Sequence, residues 1–216
     1  ASSSVQFLVL GFCMGICCGF GIPLAQAFGA GDMKKLRSYI FHGYVLTAAA
    51  AVIITGICAV LCPNILRLLS TPDDIFDNAY IYLLIIFLGI PFSLLYNYLS
   101  AVLRAVGDSR TPFIFLALST VLNIALDLAF IILFKWGCAG AAAATITAQA
   151  VSGICCFTFI RNKKPELCTE KNDRVLSSKA LGTMVTMGIP MGLQYSITAI
   201  GSMVMQSANN SLGSIY

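Results

Sequence analysis

Asp127 stands in a run of sequence that is otherwise almost wholly apolar, from Phe113 to Phe134. Asn123 lies four residues before it and Thr120 seven before it. On an α-helix that spacing puts all three side chains on one face. The face offers a carboxylate, an amide oxygen and a hydroxyl, hard donors suited to Na⁺ or to a protonatable site. A charge placed deep in an apolar medium costs from about 3 kcal/mol to 10 or more, so it calls for a partner or a use. Two readings follow: a cation or proton site, or a protonated Asp127 giving one interhelical hydrogen bond.

The elements that must position this face are membrane spans. The chain has 216 residues, of which 58% are hydrophobic and only 10% charged, against about 25% charged in soluble domains. Mean hydropathy is +0.88. Such a composition cannot cover a water-facing surface, and apolar runs of 20 or more residues recur. The expected class is an all-α, polytopic transmembrane bundle. Six spans are expected: Val5–Phe28, Leu36–Leu61, Ile75–Leu103, Pro112–Phe134, Ala139–Ile160 and Leu181–Ser207. None alternates with period two, which argues against barrel strands. The chain opens without Met and stops soon after an apolar stretch, so it is expected to be a segment of a longer protein.

The connections carry turn chemistry. "GAGD" (29–32) and "AVGD" (105–108) supply Gly to end one helix and Asp to cap the next. "STPDD" (70–74) places Thr71 for an N-cap and Pro72 for a first helical position. Eleven of the thirteen Lys and Arg fall in alternate connections, which predicts that side to be cytoplasmic. The net charge of +4 thus reports topology, and no nucleic-acid partner is expected. The polar stretch 161–179 is the expected boundary between two bundles, with most of an N-terminal bundle over 1–160 and the first span of a C-terminal bundle over 180–216.

Other polar groups within spans are Gln26, Asn97, Gln149 and Gln194, candidates for lining a cavity or for bonding a neighbouring helix. Gly11, Gly15 and Gly19, and again Gly140, Ala144, Ala148 and Ser152, recur at four-residue spacing and predict close helix packing. Pro23, Pro91 and Pro190 should kink their spans. The nine Cys lack metal spacing and read as small apolar fillers. The sole histidine, His42, reads as an interfacial packing residue. No catalytic constellation or nucleotide-binding loop is present, so neither an enzyme nor an organic cofactor is expected.

"IPLAQAFGAGDMKKLR", "SAVLRAVGDSRTP", "NIALDLAFI" and "GCAGAAAATITAQ" together strongly resemble the bacterial multidrug and toxic compound extrusion (MATE) transporters. The resemblance spans nearly the whole chain. It implies twelve helices in two six-helix bundles, alternating access and antiport driven by Na⁺ or H⁺ in the bacterial inner membrane. This chain would then hold the second to seventh helices. Its partners would be an amphiphilic or cationic small molecule, membrane lipid and the rest of the same transporter chain. On the matching motif positions, Asn123 and Asp127 would form the cation or proton site with Thr145, Na⁺ being held through Asp127 and Asn123. Gln194 falls near a position where one branch of the family carries a carboxylate. The related lipid-linked and polysaccharide flippases share the fold, and a non-transporting membrane scaffold is the other alternative.

Overall fold

The computed structural model describes residues 2–68, 73–169 and 175–211. It is helical throughout, with no strand among the described residues. The helices are α1 (Ser2–Gly29), α2 (Met33–Leu68), α3 (Asp73–Leu88), α4 (Ile90–Ala105), α5 (Arg110–Leu128), α6 (Gly137–Lys163) and α7 (Ser178–Ser211). A π-helical turn, Ala129–Leu133, extends α5, and a short 3₁₀ turn, Pro165–Leu167, follows α6.

Four helical stretches are long and apolar enough to cross a membrane: those in α1, α2 and α6, and α5 with its π turn. The third expected span, Ile75–Leu103, is not one helix. It breaks at Gly89 into α3 and α4, bent by 41°, and the pair taken as one span is long and apolar enough for a fifth crossing. Pro91 at the start of α4 accounts for part of the break, since proline is tolerated in a first turn and not in a helix interior. Gly89 sits at the break with no room for a Cβ, since one there would strike the side chain of Ile146 on α6. The sixth expected span is α7. Its 34 residues reach about 51 Å, but it is richer in Thr and Gly and falls outside the set that is apolar enough. Pro23 and Pro190 lie inside unbroken helices. Each removes one intrahelical N–H, so the carbonyls of Gly19 and Thr186 lose their usual partners.

The two Gly-Asp connections fold alike. Gly31 and Gly107 take φ of +71° and +83°, the left-handed conformation that glycine alone adopts without strain. The amide of Asp32 then donates to the Ala27 carbonyl and that of Asp108 to the Leu103 carbonyl, closing each helix end. Each Asp carboxylate turns forward and accepts the amide N–H three residues on, Lys35 at 2.9 Å and Thr111 at 3.1 Å. Thr71 and Pro72, expected to start the third span, lie outside the described residues.

The packed centre lies around α1 and α4, where Leu24, Phe87, Ile90, Leu94 and Tyr98 are fully buried. Tyr98 donates to the Ile40 carbonyl at 2.8 Å and rests on Gly43, whose missing side chain makes room for the ring. The glycine stripe of α1 meets α7. A Cβ at Gly15 would lie 2.6 Å from the Met191 carbonyl oxygen, and one at Gly19 2.5 Å from that of Met187. Gly188 and Gly192 return the fit, lying against Phe20 and against Phe12 and Ile16. The small-residue stripe of α6 is likewise buried at Gly140, Ala144, Ala148 and Ser152. All nine Cys are free, and five of them are buried as filler. Large apolar side chains point outward in numbers no soluble surface carries; Val52 and Val60 are each 75% exposed.

His42 is fully buried. Its Nδ1 lies 2.7 Å from the Ser38 carbonyl, and its Nε2 accepts the Ser177 N–H at 2.9 Å. It therefore ties α2 to the residue that precedes α7, a more specific role than interfacial packing.

Candidate functional site

Asn123 and Asp127 sit one turn apart on α5, and Thr145 faces them from α6. The Asn123 side-chain amide donates to the Thr145 hydroxyl at 3.3 Å, and that hydroxyl donates to the Ala141 carbonyl of its own helix at 3.0 Å. The structure thus joins Asn123 to Thr145, with Asp127 one turn further along α5. Asp127 Oδ1 is buried and has no hydrogen-bond partner. Three hydroxyls, those of Thr47, Thr55 and Ser100, share that condition. Asp127 is the only carboxylate among them, and the cost of an unsatisfied group is far greater for a charge. Thr120 is exposed, and its hydroxyl donates to the Leu116 carbonyl at 3.0 Å, as that of Thr145 does to Ala141. No group of three or more His, Cys, Asp or Glu that could hold a metal occurs among the described residues.

The backbone changes pitch just past the acid. From Ala129 the helix widens to π geometry, with the Phe134 amide donating to the Ala129 carbonyl at 3.1 Å, and the chain then turns through Lys135 at φ +56° and Gly137 at φ +55°. Phe130, Phe134 and Trp136 stack beneath this turn with ring centroids 5.2 to 6.0 Å apart. Single π turns inside helices frequently accompany functional sites. Their signal in sequence is weak, because it depends on how the following turn packs.

A cavity of about 700 Å³ opens between α1, α4, α6 and α7. Asn97, Gln149 and Gln194 line it, three of the four polar residues expected to face a cavity. Gln26 does not; it is exposed near the end of α1. Gln149 accepts a hydrogen bond from the Ser93 hydroxyl, and the Asn97 amide donates to the Ser93 carbonyl at 2.8 Å. The Gln194 side chain has no hydrogen-bond partner among the described residues. Sequence reasoning missed Gln6, Tyr195 and Thr198, which complete the polar lining. Gln6 accepts from Tyr82 at 3.1 Å. Among the described residues the lining carries no Lys, Arg, Asp or Glu.

At the opposite end of α5 from Asp127, Asp108 is set by Thr111 and Lys164. Its partial burial pushes the carboxyl pKa up. Two hydrogen bonds from Thr111, with Lys164 Nζ at 4.0 Å, outweigh that and hold it below the usual carboxylate range.

A bundle of apolar helices with one buried, unpartnered carboxylate oxygen on α5, and a mostly apolar cavity free of charged side chains between α1, α4, α6 and α7, defines a polytopic membrane protein of transporter architecture. Residues 1–129 match the model of the MatE family, and the chain belongs to that family. The probable multidrug resistance protein YpnP of Bacillus subtilis strain 168 is 35% identical over 212 residues, 98% of this chain and 47% of that protein. Two solved structures of a multidrug resistance MATE family transporter superpose on the chain. The outward-facing one gives a TM-score of 0.89 at 21% identity, covering 98% of this chain and 47% of that one. The inward-facing one gives 0.85 at 22% identity, covering 91% and 45%. The chain spans about half the length of the curated relatives it matches.

Proposed function

We propose that the chain forms part of a secondary active transporter that exports amphiphilic or cationic organic compounds in exchange for Na⁺ or H⁺. The observation that carries this reading is the orphaned Asp127 Oδ1 beside the Asn123–Thr145 bond. A carboxylate with one buried oxygen and no partner for it favours a bound positive charge. When the positive charge leaves, the bare carboxylate pays its desolvation cost again. The packing that lets water or another donor reach it is then preferred. A ligand biases two packings only by its differential affinity for them, and this site provides such a difference.

Asp127, Asn123 and Thr145 hold the coupling ion; for Na⁺ the direct ligands are Asp127 and Asn123. Asn97, Gln149 and Gln194 give the exported molecule hydrogen-bond partners in a mostly apolar cavity, the usual make-up of a small-molecule site. The absence of Lys and Arg from the described lining suits a cationic or neutral amphiphile better than a lipid-linked phosphate. The names of relatives such as YpnP, a probable multidrug resistance protein, point the same way. The rest of the same transporter chain completes the translocation path. The protein resides in the bacterial inner membrane with its basic connections on the cytoplasmic side, and it works without an organic cofactor.

The test is ethidium efflux from vesicles holding the complete transporter, with Na⁺ and proton gradients imposed separately. Efflux should follow one gradient and stop when that gradient is dissipated. Efflux that persists with both gradients collapsed would defeat the antiport reading.

A further inference from the structure

A second cleft, of about 380 Å³, lies where the α1–α2 turn meets the start of α7. Lys34, Lys35 and Lys179 line it, together with Ser38, Ser177 and Asp32. No carboxylate forms an ion pair with any of the three lysines among the described residues. Asp32 is occupied as a cap, its carboxylate accepting the Lys35 amide N–H at 2.9 Å. With one Asp set against three Lys, the cleft carries a formal charge of +2. Lys35 Nζ also sits 5.9 Å from the centre of the Tyr39 ring, which keeps its ammonium near the cleft.

The two walls are held in register. His42 is fully buried and accepts the Ser177 N–H at 2.9 Å. The Ser38 carbonyl can only accept, so Nδ1 at 2.7 Å carries the proton. The same ring thus fixes Ser38 on one wall and Ser177 on the other. The cleft is at the end of the helices where the basic connections gather, at headgroup depth for a bundle that crosses a membrane.

We propose that this cleft binds the phosphate of an anionic phospholipid headgroup, bridged by Lys34, Lys35 and Lys179. Phosphate supplies the negative charge and the acceptor oxygens that three ammonium groups and two hydroxyls require. Val175 and Leu176, exposed and adjacent in the chain to Ser177, offer apolar surface for the acyl chains. The inference concerns neither the coupling ion nor the exported compound and stands apart from the antiport reading.

The test uses the complete transporter in detergent, with native mass spectrometry to measure binding of phosphatidylglycerol against phosphatidylcholine. One variant replaces the cleft lysines (Lys34→Gln, Lys35→Gln, Lys179→Gln). A matched control removes basic charge at the same end of the bundle but outside the cleft (Arg110→Gln, Arg161→Gln, Lys163→Gln). Each basic residue near an anionic surface contributes about fivefold in affinity. The cleft variant should therefore lose phosphatidylglycerol preference by at least about tenfold, with the control near wild type. Lys179→Glu alone, the milder single change, should give a loss in the same direction. Equal losses in cleft variant and control would reduce the effect to general charge and overturn the proposal. Full retention in the cleft variant would also overturn it. Displacement of the lipid by millimolar inorganic phosphate would assign the cleft to free phosphate instead and would overturn the lipid assignment.

Discussion

The contact between α1 and α7 and the contact between α5 and α6 are built on opposite principles. Between α1 and α7, glycines on both helices let backbone meet backbone, and bulky residues of α1 fill the recesses at Gly188 and Gly192. Little is left open along Gly15–Gly19; the cavity begins beyond them, where Gly11 and Tyr195 line it. Between α5 and α6 the join rests on small residues of α6, the Phe115–Phe159 ring contact and two side-chain hydrogen bonds, Asn123 to Thr145 and the Ser152 hydroxyl to the Phe115 carbonyl. Pro112 is the only buried residue of α5, and a carboxylate oxygen is left without a partner. Close packing resists change because interiors tolerate neither voids nor overlap. A polar contact with an unfilled position invites an added ligand. A close-packed frame is thus confined to the Gly15–Gly19 stretch of α1 against Met187–Gly192 of α7, and α5 holds the part whose occupancy can vary.

The largest way to break that contrast is to spoil the frame. Gly19→Leu would drive a side chain into the Met187 carbonyl and the Gly188 backbone. Neither can move as a flexible side chain would. Overpacking of this kind costs about 1–3 kcal/mol or more. The yield of folded, monodisperse protein in size-exclusion chromatography should fall severely, whereas the same change at Gly56, which has open space around it, should leave the yield near wild type.

A smaller effect is expected in the cavity. Gln149→Leu removes the acceptor for the Ser93 hydroxyl and one hydrogen-bonding group of the lining. A hydrogen bond of net worth about 1 kcal/mol corresponds to about a fivefold change in affinity. The half-saturating concentration for an exported dye should rise by roughly that factor, with the folded yield unchanged. An equal loss for every dye tested would move Gln149 from recognition to architecture.

The smallest expected effect concerns the α4–α5 turn, which sharpens the frame at its edge. Asp108 is held below the ordinary carboxylate range in the folded protein. Its contribution is therefore present above the unfolded-state pKa and is lost as pH falls through the folded one. Asp108→Asn should lower the melting temperature slightly near neutral pH. The gap from wild type should close as acid protonates the native carboxyl. A gap that stays constant from pH 7 into the acid range would mean that Asp108 acts by shape alone.

Much of this was legible in the residues. The apolar runs, the two Gly-Asp turns and both small-residue stripes follow from local rules, because spacing along one helix decides them. Asn123, Asp127 and Thr145 were legible for a different reason: two share a helix face, and the third was supplied by the family resemblance and not by spacing. What could not be read depends on partners distant in sequence. The requirement for glycine at 89 depends on Ile146 of α6 packing against it. Gln26 and Gln149 look alike in sequence, yet rotation of their helices leaves one exposed and turns the other into the cavity. Thr120 shares the face of Asp127 by count, but its hydroxyl is satisfied by its own helix. Gln6, Tyr195 and His42 acquire their roles only when α1, α2 and α7 come together.

The central claim is that Asp127 takes up and gives back positive charge as the protein changes packing. The most direct measurement is uphill dye efflux by the complete transporter carrying Asp127→Asn, compared with wild type under the same imposed cation gradient and at matched membrane levels. The account predicts that uphill efflux falls to background while the variant still inserts and folds. Efflux at the wild-type rate under that gradient would contradict it.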